Sequence, residues 1–422
     1  MRILAVLLVV LLWNAIAGAK GKAPLQIDGN FPGGNIVVDA IEGDAVFLHQ
    51  DLRDTKGDWF YWCFRVRGAT GRTLTFHFTK GDVIAAMGPA CSTDGGKTWK
   101  WLGREIVKAA TQPGRPVPDS RDAKDAKPAQ GPSFAYRFPA DAEEVRFCLA
   151  IPYLEPNLKE FLAGYRKRPE LKVATLCKTK KGRDAEVLYL GRPDGKGDYR
   201  IAFTCRHHAC EMMAGYVLEG IMESVLSDDE NGKWFRGHVA ILAVPFMDKD
   251  GVEEGDQGKN RHPHDHNRDY AGDSIYPTVA AVKKLIPEWS GGKLDVAIDL
   301  HCPSRGDNFI HFVGGPNQES WQRVERLCEI LHRVQKGPLT YAAKDNVPFG
   351  KGWNKSTGDL MSFSRWAGGL PGIFISTTIE TPYASVKGKP VTVESARAFG
   401  HDVAAALRQF LETELPRQKN AP

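Results

Sequence analysis

From residue 172 onward, short apolar runs alternate with amphipathic stretches, and no other feature of this 422-residue chain restricts its fold as tightly. Residues 185–190, 199–204, 238–244, 294–300, 309–313 and 373–378 read as strands. Several are almost unbroken runs of apolar residues, the pattern of strands buried on both faces. Residues 212–226, 318–334 and 393–411 instead place apolar side chains at helical spacing. This alternation predicts an α/β domain over residues 165–415, with a sheet sandwiched by helices.

The segment before it has a different grammar. Residues 23–156 carry short β-rich stretches at 36–38, 59–66, 73–78 and 145–151, with Gly and Asp between them, and read as an all-β sandwich domain. The aromatic run from Trp59 to Phe64 suits a sandwich core, or a platform for stacking sugars. Ser92, Asp94, Gly96, Thr98 and Trp99 form a motif that propellers repeat once per blade; here it occurs once and reads as a hairpin turn. Residues 109–131, rich in Pro, Asp, Lys and Ala, read as an exposed loop. Residues 1–19 have the form of a signal peptide: Arg2, an apolar run over 3–13, then Ala15, Ala17 and Ala19. Cleavage after Ala17 or Ala19 predicts export, periplasmic or secreted. The run falls short of the about 20 residues a membrane-spanning helix needs, and no later stretch is a candidate span. Eight cysteines in an exported chain permit disulfides without fixing their pairing. A net charge of +5 gives no basis for a nucleic-acid partner, and nothing fixes an oligomeric state.

The chemistry-bearing residues follow strands. His208 and Glu211 come after the strand at 199–204, and His301 after the strand at 294–300. Two His and one Glu leave a position of a tetrahedral zinc site open for water, the catalytic rather than the structural arrangement. His262, His264 and His266 alternate along one segment and offer a second, alternative cluster.

A longer order of motifs surrounds these ligands: His208-x-x-Glu211 after a strand, Pro245 then Asp250-Gly251, Asp265-x-Asn267-Arg268, Asp299-Leu300-His301, and a late strand leading to Glu380. Together they resemble the zinc carboxypeptidase family, and the preceding sandwich makes the chain most similar to its cytosolic-carboxypeptidase-like branch. The resemblance implies a mixed sheet and one Zn²⁺ held by His208, Glu211 and His301. It implies that Asp265 orients a ligating histidine, and that Asn267 and Arg268 grip the free C-terminal carboxylate of a peptide substrate. Arg261 would polarise the scissile carbonyl, and Glu380 would act as general base toward the attacking water. Arg261 stands closer to Asn267 than the family pattern expects, and no tyrosine occupies the segment before Glu380, where Phe363 and Trp366 are the aromatics. In that segment Arg365 is a candidate substrate-binding residue that would favour an acidic C-terminal side chain; its alternative is a solvated surface position. A zinc amidohydrolase acting on peptidoglycan peptides or acylated amino acids, and a catalytically degenerate binding protein, remain alternatives to a carboxypeptidase.

Overall fold

The computed structural model describes residues 24–109, 131–355 and 358–415. The leader expected at 1–19 and nearly all of the loop expected at 109–131 lie outside them. Ten strands between Gln26 and Cys148 form two five-stranded sheets. Phe64 and Phe147 of one sheet pack against Phe76 and Phe134 of the other, with ring centroids 5.2–5.4 Å apart. The aromatic run is therefore core: Phe60 through Phe64 are buried, and Trp59 alone reaches outward. The solitary motif at 92–99 is a hairpin turn, in which Asp94 accepts from the backbone N–H groups of Lys97 and Thr98, each at 3.0 Å.

The larger sheet has seven strands, designated β1 (Leu171–Lys178), β2 (Asp184–Gly191), β3 (Tyr199–Cys205), β4 (Val239–Val244), β5 (Val296–His301), β6 (His311–Val313) and β7 (Ile375–Glu380). Their order is β1-β2-β4-β3-β5-β7-β6. The four central strands β4, β3, β5 and β7 are parallel, and β2 and β6 join antiparallel on either side. The sheet is thus mixed and lies between helices. Ile201 and Phe203 share one apolar cluster with helices α1 (Met213–Leu226), α3 (Gln318–Val334) and α5 (Val393–Glu414). Ala202 shares the other with α2 (Pro277–Ser290) and the short α4 (Phe363–Ala367). Burial on both faces is why the central strands read as apolar runs.

The end of β7 falls two residues beyond the apolar run, so Glu380 closes the strand. Register places His301, Glu380 and His311 in one row across β5, β7 and β6. Directly paired residues point to the same face, so ligand candidate, base candidate and a second histidine stand side by side.

Helices α1 and α5 meet backbone to backbone. A Cβ built on Gly220 would lie 2.0 Å from the Arg397 carbonyl oxygen, and one on Gly400 2.2 Å from that of Val217. Gly220→Ala should therefore lower the melting temperature, although Ala is the better helix former by about 1 kcal/mol. Overpacking of this kind costs about 1–3 kcal/mol. A melting temperature equal to or above wild type would show that the helices separate freely.

Candidate functional site

The site is built where β3 ends. Arg206 takes the left-handed backbone conformation (φ 61°), unfavourable for a residue with a Cβ. The turn is held from several sides. The Arg206 guanidinium donates to the carbonyls of Tyr153 (2.8 Å) and Ala209. The N–H groups of Met247 and Asp248 donate to the carbonyls of Cys205 and Arg206, both at 3.0 Å. This bend sends His207 and His208 off the sheet in different directions.

His208 meets Glu211, with Nδ1 2.9 Å from Oε1, and His301 meets the same carboxylate, with Nδ1 2.6 Å from Oε2. The three ligand atoms are buried and lie within 4.8 Å of one another. Each imidazole is aimed by an acid on its far side. His301 Nε2 donates to Asp299 Oδ2 at 2.6 Å, and His208 Nε2 lies 3.6 Å from Asp265 Oδ1. With Nε2–H committed to Asp299, His301 presents the Nδ1 lone pair to Glu211 Oε2, a sealed oxygen that accepts no hydrogen bond. Two lone pairs facing each other at that distance need a proton or a metal ion between them. The set of two imidazole nitrogens and one carboxylate, with a supporting acid behind each imidazole, fits a metal with one open position.

The electrostatics agree. Burial alone would lower the pKa of His301, but Asp299 and Glu211 outweigh it and raise it well above the ordinary histidine value. His208 is raised for the same reason by Glu211 and Asp265. Burial opposes ionisation of Asp299, yet His207 and His301 hold it far below the usual carboxylate range.

His207 is an addition that sequence reasoning passed over. Its Nδ1 lies 2.8 Å from Asp299 Oδ1 and its Nε2 2.8 Å from the Tyr270 hydroxyl, so it braces the acid that braces His301. Thr204 donates to the same Asp299 oxygen at 2.8 Å. A second histidine in the strand-to-helix loop was the available signal. Lys259 is another addition: its Nζ lies 2.7 Å from Glu211 Oε1. So is His311, buried beside Glu380 with an Nε2 that has no hydrogen-bond partner among the described residues.

Glu380 faces the cluster with Oε2 sealed from solvent and without a hydrogen bond. Burial pushes its carboxyl above the ordinary value, with His301 opposing. Asn267 lies beside the cluster: its amide nitrogen is 3.2 Å from His301 Nε2, and its oxygen accepts from the Phe363 N–H at 3.0 Å. Arg268 is partly exposed and donates to the Asn267 carbonyl at 2.8 Å. Arg365 stands near enough for Arg268 to act on it, after burial, in lowering its pKa. Its guanidinium donates to the Lys355 carbonyl at 2.9 Å and lies 5.2 Å from the Phe349 ring centre.

Arg261 is not brought to the cluster. Its guanidinium is taken by three carboxylates, Asp54 at 3.0 Å, Asp248 at 2.9 Å and Asp256 at 2.8 Å. The short segment between Arg261 and Asn267 turns it away from the metal-ligand candidates. His262, His264 and His266 diverge to Lys56, Asp269 and the Tyr276 ring, so they make no common site. All eight cysteines are free thiols. Cys210 lies 3.5 Å from the Tyr383 hydroxyl.

Replacing Asp265 or Asp299 by Asn should weaken metal binding by about 10–100-fold, the usual cost of losing a carboxylate behind a ligating histidine. His208→Ala or His301→Ala should remove most of the metal. Chelator competition with elemental analysis measures both; full occupancy in His208→Ala would show that the ion binds elsewhere.

No family model matches the chain. Its sequence is 26% identical over 359 residues to cytosolic carboxypeptidase 2 of Danio rerio, covering 80% of this chain and 48% of that protein. It is 25% identical over 298 residues to cytosolic carboxypeptidase 6 of Homo sapiens, covering 66% and 57%. The chain spans about half the length of the curated relatives it matches first. Among solved structures, a metallo-carboxypeptidase from Burkholderia cenocepacia superposes with a TM-score of 0.71 at 20% identity, over 93% of this chain and 100% of that one. A metallo-carboxypeptidase from Pseudomonas aeruginosa in complex with (2-guanidinoethylmercapto)succinic acid gives 0.71 at 19% identity, over 92% and 99%. The chain thus has a metallo-carboxypeptidase fold, its β-sandwich included, and its sequence is similar to that of cytosolic carboxypeptidases.

Proposed function

We propose that the protein is a zinc-dependent metallocarboxypeptidase that hydrolyses the C-terminal peptide (or amide) bond of a substrate with a free carboxylate. The observation that carries this reading is the direct pairing of His301 with Glu380 on neighbouring strands, which sets a buried carboxylate beside the His208–Glu211–His301 cluster. One Zn²⁺ fits the cluster, because the His301 Nδ1 lone pair faces a Glu211 oxygen that accepts no hydrogen bond, whereas both oxygens of Asp299 in the alternative group are taken by the N–H groups of His207 and His301. Bound zinc supplies Lewis acidity and makes water acidic enough to be a nucleophile near neutral pH.

The chain's own residues do the rest. Glu380 takes the proton of the attacking water and passes it to the nitrogen of the leaving residue as the C–N bond breaks and the C–O bond forms. Burial pushes its carboxyl above the ordinary value, the direction that makes a carboxylate a stronger base. Arg268, with Arg365 beside it, takes the carboxylate end of the substrate, where a guanidinium can pair bidentately. The similarity to cytosolic carboxypeptidases and the shared fold support this assignment. Export belongs to the same proposal and rests on the leader-like residues 1–19.

Glu380→Gln should keep metal and fold and lose about 10²–10⁴-fold in kcat. Cleavage should also depend on a free carboxylate: a peptide ending in an amide should resist, and Arg268→Ala should abolish the distinction. Equal cleavage of both peptides by wild type would exclude an exopeptidase. N-terminal sequencing of the secreted or periplasmic chain should find a start directly after Ala17 or Ala19; an intact Met1 would overturn export.

A further inference from the structure

With Arg261 locked among Asp54, Asp248 and Asp256, the site lacks the cation that the motif order suggested for the scissile carbonyl. A different cation stands in the cluster. Lys259 reaches Glu211 Oε1 at 2.7 Å, is 12% exposed, and is close enough to Glu380 for the two charges to act on each other. We propose that Lys259 is the residue that polarises the scissile carbonyl and stabilises the oxyanion, resting on the carboxypeptidase reading above.

Three observations carry it. The first is position. A peptide carbonyl brought within reach of both Glu380 and the metal-ligand cluster would come under the charge of the Lys259 ammonium, which pairs with Glu211 and acts electrostatically on Glu380. The second is rigidity. Gly258, at φ +75°, lies so close to the loop over residues 206–211 that carries His208 and Glu211 (the metal loop) that a Cβ on it would be 2.1 Å from the Ala209 nitrogen. Gln257 accepts at its carbonyl from the Cys210 N–H at 3.2 Å, and its side chain exchanges two hydrogen bonds of 2.8 Å with the Tyr61 backbone. Asp54 takes the N–H groups of Gln257 and Gly258 at 3.0 and 2.8 Å. The backbone beneath Lys259 is therefore clamped between the metal loop and the sandwich domain. A cation carried on so fixed a backbone stabilises developing charge with little reorganisation. The third is the Trp59 ring, centred 5.0 Å from Lys259 Nζ. It comes from the sandwich and holds the ammonium by its π face, so that only the contact to Glu211 draws on the three N–H donors.

The rival role is a plain counter-ion of Glu211. The two differ in what they predict for the metal. The ammonium and a metal ion compete for the same carboxylate, so a lysine that serves catalysis is dispensable for metal binding. Lys259→Met keeps the stem and removes the charge. Its zinc affinity, by chelator competition, should equal or exceed wild type. Its kcat/KM on a free-carboxylate peptide should fall about 10²–10³-fold, the usual loss for one oxyanion donor. Binding of a phosphonate peptide, which mimics the tetrahedral intermediate, should weaken in step, while binding of the product amino acid should not. Lys259→Arg should recover part of the loss, and Trp59→Leu, as a positioning change, should cost less than Lys259→Met. Wild-type turnover in Lys259→Met would overturn the proposal, as would weakened zinc binding with normal turnover per bound ion. If wild type cleaves the peptide and Glu380→Gln does not, the carboxypeptidase reading stands whatever Lys259→Met does. If wild type cleaves no such peptide, the reading and the role of Lys259 fall together.

Discussion

The Asp299 carboxylate is the group on which the site depends. It is wholly buried, and an isolated carboxylate in such a place would cost far more than a domain's stability unless paired and hydrogen-bonded. Thr204, His207 and His301 surround it, each at 2.6–2.8 Å. Their sources are different segments, β3, the loop after it and the end of β5, so satisfying one carboxylate fixes their relative positions. His301 then has a single orientation, and its free nitrogen faces Glu211. Glu211 in turn draws in His208 and Lys259. The cluster is a chain of charges in which each member is tolerable only because its neighbour is present. Removing one partner of such a buried set costs more than the pair is worth, because the other is left uncompensated.

That dependence explains which features the sequence reveals. The central strands β3, β4 and β5 are legible because burial on both faces forces apolar side chains at every position. His208, Glu211 and His301 are legible because the polar residue at the end of an apolar strand is conspicuous. The edge strand β1 is not, since a strand covers only one of its edges and Lys172, Val173, Thr175 and Lys178 are exposed, which leaves no continuous apolar run. The helix α2 is obscured by Pro277 at its start and Pro287 within it. Glu380 is legible by its place in a motif order, although the apolar run stops short of it; the strand continues because β5 and β6 flank it with hydrogen bonds.

Arg261 and Lys259 show where sequence spacing ceases to carry information. Both are basic, two residues apart, in a loop with no periodicity. Which one faces the cluster is decided by three acids far away in sequence or hidden in turns: Asp54 from the sandwich, Asp248 capping the helix Lys249–Glu254, and Asp256 just beyond it. A guanidinium, with five donors in a planar fork, suits three carboxylates better than an ammonium does. The arginine goes to the acids, and the lysine is left to the pocket.

The same contacts give the sandwich a part in the site beyond covering the sheet. Asp54 holds both the Arg261 guanidinium and the backbone before Lys259, and Tyr61 is paired through its backbone with Gln257. Asn35 donates to the Gly255 carbonyl at 2.7 Å, and a Cβ on Gly255 would meet the Gly34 carbonyl oxygen at 2.4 Å, so the two backbones lie in direct contact. The loop over residues 255–261 is thus shaped by the sandwich on one side and by the metal loop on the other. The α/β domain without the sandwich would keep its sheet, since β1 to β7 pair with no strand of the sandwich. It would lose the restraints on Gln257, Gly258 and Arg261 together, and with them the fixed approach of Lys259 to Glu211. The sandwich therefore acts as a wall of the site, and the precision of the cluster is a property of the whole described chain.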